Sequence, residues 1–235
     1  VEGESTNFAF TYDFGQEVKL WDEFQPNVYQ MNISIENGDI LTEDFGFRDI
    51  AFNDRQFVIN GRPSYLRGTL ECAIFPETGY PATDVEDWKK IFSTIQAYGL
   101  NHMRFHSWCP PEAAFVAADE MGVYLQAEAA SWANQSTTLG DGKPVDQFIK
   151  EESERIVQAY GNHPSFIMMA YGNEPGGDHY QEFLAGYVND WKAKDNRRIY
   201  TSASGWPAID ENQFHVLPEP RIQAWGAGLN SIINS

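Results

Sequence analysis

From Tyr65 onward, short apolar runs and amphipathic segments take turns along the chain, and that alternation leaves few folds open. Tyr65-Leu-Arg-Gly-Thr-Leu70 reads as a strand, and Thr83-Asp-Val-Glu86 as a capping box opening a helix that runs through Tyr98 and stops at Gly99. Asn101 to His106 is the next strand, and Pro110 to Met121 a helix with proline at its start and Gly122 at its end. Val123 to Glu128 is a third strand. A polar loop from Ser131 to Pro144 leads to a helix from Val145 to Tyr160, whose end is marked by Gly161-Asn-His-Pro164. Phe166 to Gly172, a helix from about Asp178 to Lys194, and a strand from Ile199 to Ala203 complete the pattern.

Strands that alternate strictly with helices require crossover connections, which build a parallel sheet with its site at the strand C-termini. The expected class is α/β, an incomplete (β/α)8 TIM barrel of about five β/α units, since a closed barrel takes about 250 residues. The first part of the chain reads differently. Phe8 to Tyr12, Val28 to Ile35 and Gln56 to Ile59 are aromatic and β-branched runs parted by the turn signals Asn37-Gly38 and Asn60-Gly61. They indicate part of an antiparallel β-domain, placing the expected domains at residues 1–58 and 59–235.

Charge narrows the partners. With 16 basic and 34 acidic residues the formal net charge is −18, which repels nucleic-acid backbones and anionic membrane surfaces. No apolar run approaches the roughly 20 residues needed to span a bilayer. Cys72 and Cys109 lie far apart, without the spacing of a zinc site, and read as ordinary buried thiols. Neither a metal nor an organic cofactor is expected, and the absence of an HxH or HExxH cluster disfavours a metal-dependent hydrolase.

The polar residues at the strand ends converge. Glu71, Arg104 with His106, Glu128, and Asn173 with Glu174 are delivered to one face, with Trp108, Trp132 and Trp206 in adjoining loops. Acids, a guanidinium and indoles at one mouth suit a carbohydrate, whose C–H faces stack on indole and whose oxocarbenium-like transition state needs an acid and a carboxylate.

Several motifs in order carry a resemblance to glycoside hydrolase family 2, the β-galactosidase, β-glucuronidase and β-mannosidase family. Phe45-Gly-Phe-Arg-Asp-Ile50, Phe57-Val-Ile-Asn-Gly-Arg-Pro63 and Tyr65-Leu-Arg-Gly68 are similar to its junction between an immunoglobulin-like domain and the barrel. Trp21 and Pro26-Asn-Val-Tyr29 resemble the stretch preceding that junction. Gly99 to Arg104 resembles its second strand, Ala118 to Glu128 its second helix and third strand, and Gly172-Asn-Glu174 its acid/base segment. The resemblance implies that the β-domain is the C-terminal part of an immunoglobulin-like β-sandwich. It also implies a retaining exo-β-glycosidase of periplasmic or extracellular location, acting on an oligosaccharide or glycoside. Glu174 would be the general acid/base and Asn173 the partner of the sugar 2-hydroxyl. Arg104 would orient the nucleophile, and His106, Glu128, Trp132 and Trp206 would bind substrate.

The family's usual Ser-His-Tyr-Pro after the second strand is here Phe105-His-Ser-Trp-Cys-Pro110. The family's nucleophile is a second Glu on a seventh strand. None of Asp178, Glu182, Asp190, Asp195, Asp210, Glu211 and Glu219 ends such a strand, so the nucleophile is expected beyond Ser235, in the remainder of the parent enzyme. Plainer roles stand beside these. Glu174 reads also as a strand-end cap, and Arg104 as a structural partner of Glu71 or Glu128. His106 reads also as a satisfied rim residue, His163 as a helix C-terminal cap, and Trp132 and Trp206 as loop anchors. Trp88, Trp191 and Trp225 are assigned to packing, and the alternative for the whole chain is a non-catalytic carbohydrate-binding or scaffold fragment.

Overall fold

The computed structural model describes residues 9–34, 38–52, 56–132 and 137–217. Two small antiparallel sheets come first. Strands β1 (Tyr29–Ser34) and β2 (Ile40–Phe45) form a ribbon, and β3 (Ile50–Phe52), β4 (Phe57–Ile59) and β5 (Arg62–Ser64) a three-stranded sheet. The β4–β5 turn is the Asn60-Gly61 pair read from the sequence. Both residues have positive φ, 51° and 74°, as a primed hairpin turn demands. The run before β1 behaves otherwise: residues 9–12 form no strand, and Phe8 lies outside the described residues. The rings of Phe10 and Tyr12 are exposed, with Tyr12 set edge-on to Phe14 at 4.9 Å.

The remaining elements follow the predicted alternation: β6 (Gly68–Glu71), α1 (Val85–Ala97), β7 (His102–Phe105), α2 (Glu112–Met121) and β8 (Tyr124–Glu128). After these come α3 (Pro144–Tyr160), β9 (Phe166–Ala170), α4 (Tyr180–Lys194) and β10 (Ile199–Thr201). The five strands make one parallel sheet in the order β10-β9-β8-β7-β6, so each strand pairs with its neighbour in sequence, as successive β/α units of a barrel do. The first strand lies later than its apolar run suggested: it joins β7 only from Gly68 onward. The cap of α1 is Asp84 rather than Thr83, with Oδ1 accepting from the Glu86 N–H at 2.8 Å. Gly122 ends α2 at φ 71°, where a side chain would strike the Glu23 main chain.

Every residue of β8, β9 and β10 is buried, as befits strands covered on both faces. One core packs the helices on the sheet through Trp88, Phe92, Phe115, Leu125, Phe166, Met169 and Trp191. A second, of Trp21, Ile50, Ile59, Tyr124, Ile167, Met168, Ile199 and Phe214, joins the sheet to the N-terminal segment. Trp88 and Trp191 are thus packing residues, whereas Trp225 and Glu219 lie outside the described residues.

That segment binds the lower ends of the strands. The Arg48 guanidinium, between β2 and β3, donates to the carbonyls of Pro164 and Phe166, each at 2.7 Å, and to that of Arg197. Burial, with Arg198 nearby, lowers its pKa to about 9. The Trp21 indole donates to Asp119 O at 2.8 Å, and Glu23 accepts from Asn101 Nδ2 at 3.0 Å. His163 is not a helix cap. It is buried with Nδ1 2.6 Å from Asp119 Oδ2, and its ring stacks on Phe115. The cysteines also depart from expectation: Cys72 is exposed beside the mouth of the sheet, and only Cys109 is substantially covered.

His102 on β7 is buried, with Nδ1 3.0 Å from Tyr124 O, and burial lowers its pKa to about 4. The unfolded chain binds this proton near pH 6.5, so stability is full above that value and lost as pH falls toward 4. Linkage puts the loss at about 3 kcal/mol. Urea unfolding across this range should show the fall, and His102→Gln should flatten it.

Candidate active site at the C-terminal ends of the strands

The strand ends converge on Glu128. Its side chain is 0% exposed, and its carboxylate accepts from donors brought by two other strand ends and its own strand. Arg104 Nε, on β7, donates to Oε1 at 2.6 Å and Nη2 to Oε2 at 3.2 Å, a bidentate pair. The Ser107 N–H donates to Oε2 at 2.7 Å, Gln126 Nε2 to Oε1 at 2.9 Å, and Ser204 Oγ to Oε1 at 2.7 Å. Both oxygens are therefore occupied. Charged donors and this many hydrogen bonds are what a buried carboxylate requires. Ser107 meets it by adopting φ 60°, a conformation a non-glycine residue takes only when its surroundings hold it there.

Arg104 extends the network upward. Its Nη2 also donates to Asn173 Oδ1 at 2.7 Å, which turns the amide so that Nδ2 is the outward donor. Asn173 is buried, and its backbone is clamped between neighbouring loops through bridges to Trp132 and to Ser204. Gly172 before it has φ 154°, and any β-carbon there would lie 2.1 Å from Ser131 O. The close approach of the β8 and β9 ends thus requires glycine.

Glu174 follows at φ 39°, with its N–H donating to Ser204 O at 2.8 Å. Its Oε2 accepts from the Trp132 indole at 2.8 Å, and the Trp132 ring meets His106 edge-on at 4.7 Å. His106 Nδ1 lies 3.0 Å from Ser107 Oγ. Trp206 is held by a bond from its indole to Pro175 O at 2.8 Å, beside the Glu174 turn, and precedes a cis proline, Pro207. Trp132 and Trp206 remain 39% and 36% exposed, so each offers ring surface at the mouth while its N–H is engaged below.

Arg104, His106, Glu128, Trp132, Asn173, Glu174 and Trp206 therefore form one connected cluster at the strand ends. Glu71 stands apart, with its carboxylate accepting from the N–H groups of Ala73 and Ile74 at 2.9 and 3.1 Å. Trp108 packs inward against Phe105 and donates to Glu71 O. Two residues that hold this cluster in place escape a reading by residue type. Ser204 and Gln126 carry no charge: the two-residue period of β8 puts Gln126 on the face of Glu128, and only the arrangement of the sheet brings Ser204 to it. Among the described residues, no group of three or more His, Cys, Asp and Glu side chains is placed to hold a metal ion.

A parallel β/α sheet that gathers an acid, an amide and a guanidinium-carboxylate pair at its C-terminal mouth has the arrangement by which barrel enzymes hold their sites. Residues 50–220 match the family described as "Glycosyl hydrolases family 2, TIM barrel domain", and the chain belongs to that family. A β-galactosidase of Lactococcus lactis is 27% identical over 190 residues, covering 77% of this chain and 18% of that enzyme. Among solved structures, a β-galacturonidase of Eisenbergiella tayi bound to galacturonate superposes with a TM-score of 0.70 at 18% identity. It covers 80% of this chain and 34% of that one. A β-glucuronidase of Parabacteroides merdae gives a TM-score of 0.66 at 22% identity, covering 77% of this chain and 24% of that one. At these identities the structural likenesses speak for the barrel fold. The chain spans 16–21% of the length of the curated β-galactosidases it matches.

Proposed function

We propose that this chain supplies the proton-donating half of a retaining exo-β-glycosidase acting on terminal β-galactoside or β-glucuronide type sugars. The observation that carries the reading is the juxtaposition of Glu174 with an Asn173 amide pinned by Arg104, itself held on the buried Glu128 carboxylate. The β-galactosidases among the relatives and the uronidases among the structural neighbours support the substrate class.

In this mechanism the Glu174 carboxylic acid gives its proton to the glycosidic oxygen as the C1–O bond breaks, and the bonding pair leaves with that oxygen. A carboxylate on the opposite face attacks C1 and forms a glycosyl ester. The Glu174 carboxylate then takes a proton from water, whose oxygen attacks C1 and releases the nucleophile. Asn173 Nδ2 donates to the oxygen of the sugar 2-hydroxyl, orienting that hydroxyl beside C1. His106 and the exposed rims of Trp132 and Trp206 bound the sugar. Glu128, fully buried, contributes by fixing Arg104 and through it Asn173.

Strands β6 to β10 do not supply the nucleophile, since Glu71 caps a turn and Glu128 is saturated. We assign it to another part of the intact enzyme, which leaves residues 1–235 alone inactive. Residues 1–58 we read as the end of an immunoglobulin-like β-sandwich. The antiparallel ribbon of β1 and β2 supports this, while the barrel match begins at residue 50 and already takes in β3.

Proton NMR of the first product released from 4-nitrophenyl β-glycosides should show the β-anomer. An α-anomer would overturn the retaining assignment, and saccharide binding without turnover by the intact enzyme would reduce the domain to a binding module. Turnover by the isolated chain would refute the placement of the nucleophile.

A further inference from the structure

The acid/base carboxylate does not stand on a strand. Glu174 lies past the end of β9 with φ 39°, in a left-handed conformation that a glutamate keeps only when its surroundings impose it. The residues that impose it come from the next strand. Ser204, beyond the end of β10, receives the Glu174 N–H on its carbonyl at 2.8 Å and donates its own N–H to Gly172 O at 3.0 Å. These two bonds bracket Asn173 and Glu174. The Ser204 hydroxyl, wholly buried, donates to Glu128 Oε1 at 2.7 Å, tying this loop to the carboxylate that also holds Arg104.

Gly205 completes the arrangement. Its N–H donates to Val216 O at 2.7 Å, and φ is 98°. A β-carbon built on it would lie 2.8 Å from Glu174 Cγ, so the space taken by the glutamate side chain is the space a residue here would need.

We propose that Ser204 and Gly205 are positioning residues for the acid/base: the turn after β10 sets where the Glu174 carboxyl stands, Ser204 through the buried Glu128 and Gly205 by lacking a side chain. This rests on the reading of Glu174 as the proton donor. The Ser204 hydroxyl is buried against Glu128 and Gly205 has no side chain, so their loss is felt in proton transfer at Glu174 rather than in binding.

The test uses the intact enzyme and aryl β-galactosides or β-glucuronides whose leaving groups range from methoxyphenol to 2,4-dinitrophenol. Departure of dinitrophenolate needs no proton, whereas departure of the poorer leaving groups does. Gly205→Ala should lower kcat on the poorest leaving group by about 10²-fold, the scale of an ångström-sized misplacement. Ser204→Ala should lower it by about 10-fold, as a lesser displacement on the same scale. Both should leave kcat/KM for the dinitrophenyl glycoside, which reports the step that needs no proton, within about 3-fold, while its steady-state turnover slows after a burst because the same carboxyl is the base for water. A loss of kcat/KM equal across leaving groups, or no loss in either variant, would overturn the proposal. Should Gly205→Ala fail to fold, as its melting curve would show, Ser204→Ala decides, because Ser204 keeps a conformation open to alanine. Glu174→Ala serves as the control. If it shows no leaving-group dependence, the reading of Glu174 itself falls; if it does and the turn variants do not, only this inference falls.

Discussion

Glu174→Ala should lower turnover of glycosides with poor leaving groups by about 10²–10⁴-fold, the range of general acid catalysis, while sparing 2,4-dinitrophenyl glycosides in the first chemical step. The asymmetry follows from what the residue does. A phenol of low pKa leaves as its anion, so removing the acid costs little when the glycosyl ester forms. The second step still needs a base for water, so the ester should accumulate and a burst of dinitrophenol should precede slow turnover. Uniform loss across leaving groups would instead assign Glu174 to the scaffold, as a strand-end cap engaged by Trp132 and Ser204.

The second large effect concerns the base of the site. Arg104→Met removes the cation from a pair whose side chains are 13% and 0% exposed, and leaves Glu128 buried with neutral donors only. Stranding a buried charge costs about 3–5 kcal/mol, which for a domain of this size lowers Tm by roughly 10 °C. Asn173 loses its anchor at the same time, so kcat falls along with stability. The two losses separate in Arg104→Met combined with Glu128→Gln. Neutralising the carboxylate relieves the stranded charge and restores much of the stability, while the amide of Asn173 stays unpinned and activity stays low. Melting curves and steady-state rates on the single and double variants check this. Recovery of activity together with stability would show that Arg104 serves the fold alone.

The β/α units were legible because their signals are local. Period 3.6 alternates with short apolar runs, and Gly99, Gly122 and the Asn60-Gly61 turn punctuate them. Strands β3 and β5 were not, since three residues with an exposed face carry no periodicity and exist only through pairing with β4. Phe8 to Tyr12 misled in the other direction: residues 9–12 have strand-like composition and pair with no strand among the described residues.

The site divides the same way. Arg104, Glu128, Asn173 and Glu174 stood out because charged and amide side chains at the ends of parallel strands share one mouth. Whether such an acid faces solvent or lies beneath it depends on donors from other strands. Glu128 owes its burial to Arg104, Ser107, Gln126 and Ser204, a combination no window of sequence displays. His163 was misread for a related reason. Its position after a helix suggested a cap, but its partner Asp119 is 44 residues away in sequence.

Azide tests the central claim most directly, because a small anion takes the place of water without needing a base. With Glu174→Ala in the intact enzyme and a 2,4-dinitrophenyl β-glycoside, added azide should accelerate turnover and yield the β-glycosyl azide, formed by attack on the α-linked glycosyl ester. An α-glycosyl azide would mark Glu174 as the nucleophile, and no azide product at all would contradict its role as acid/base.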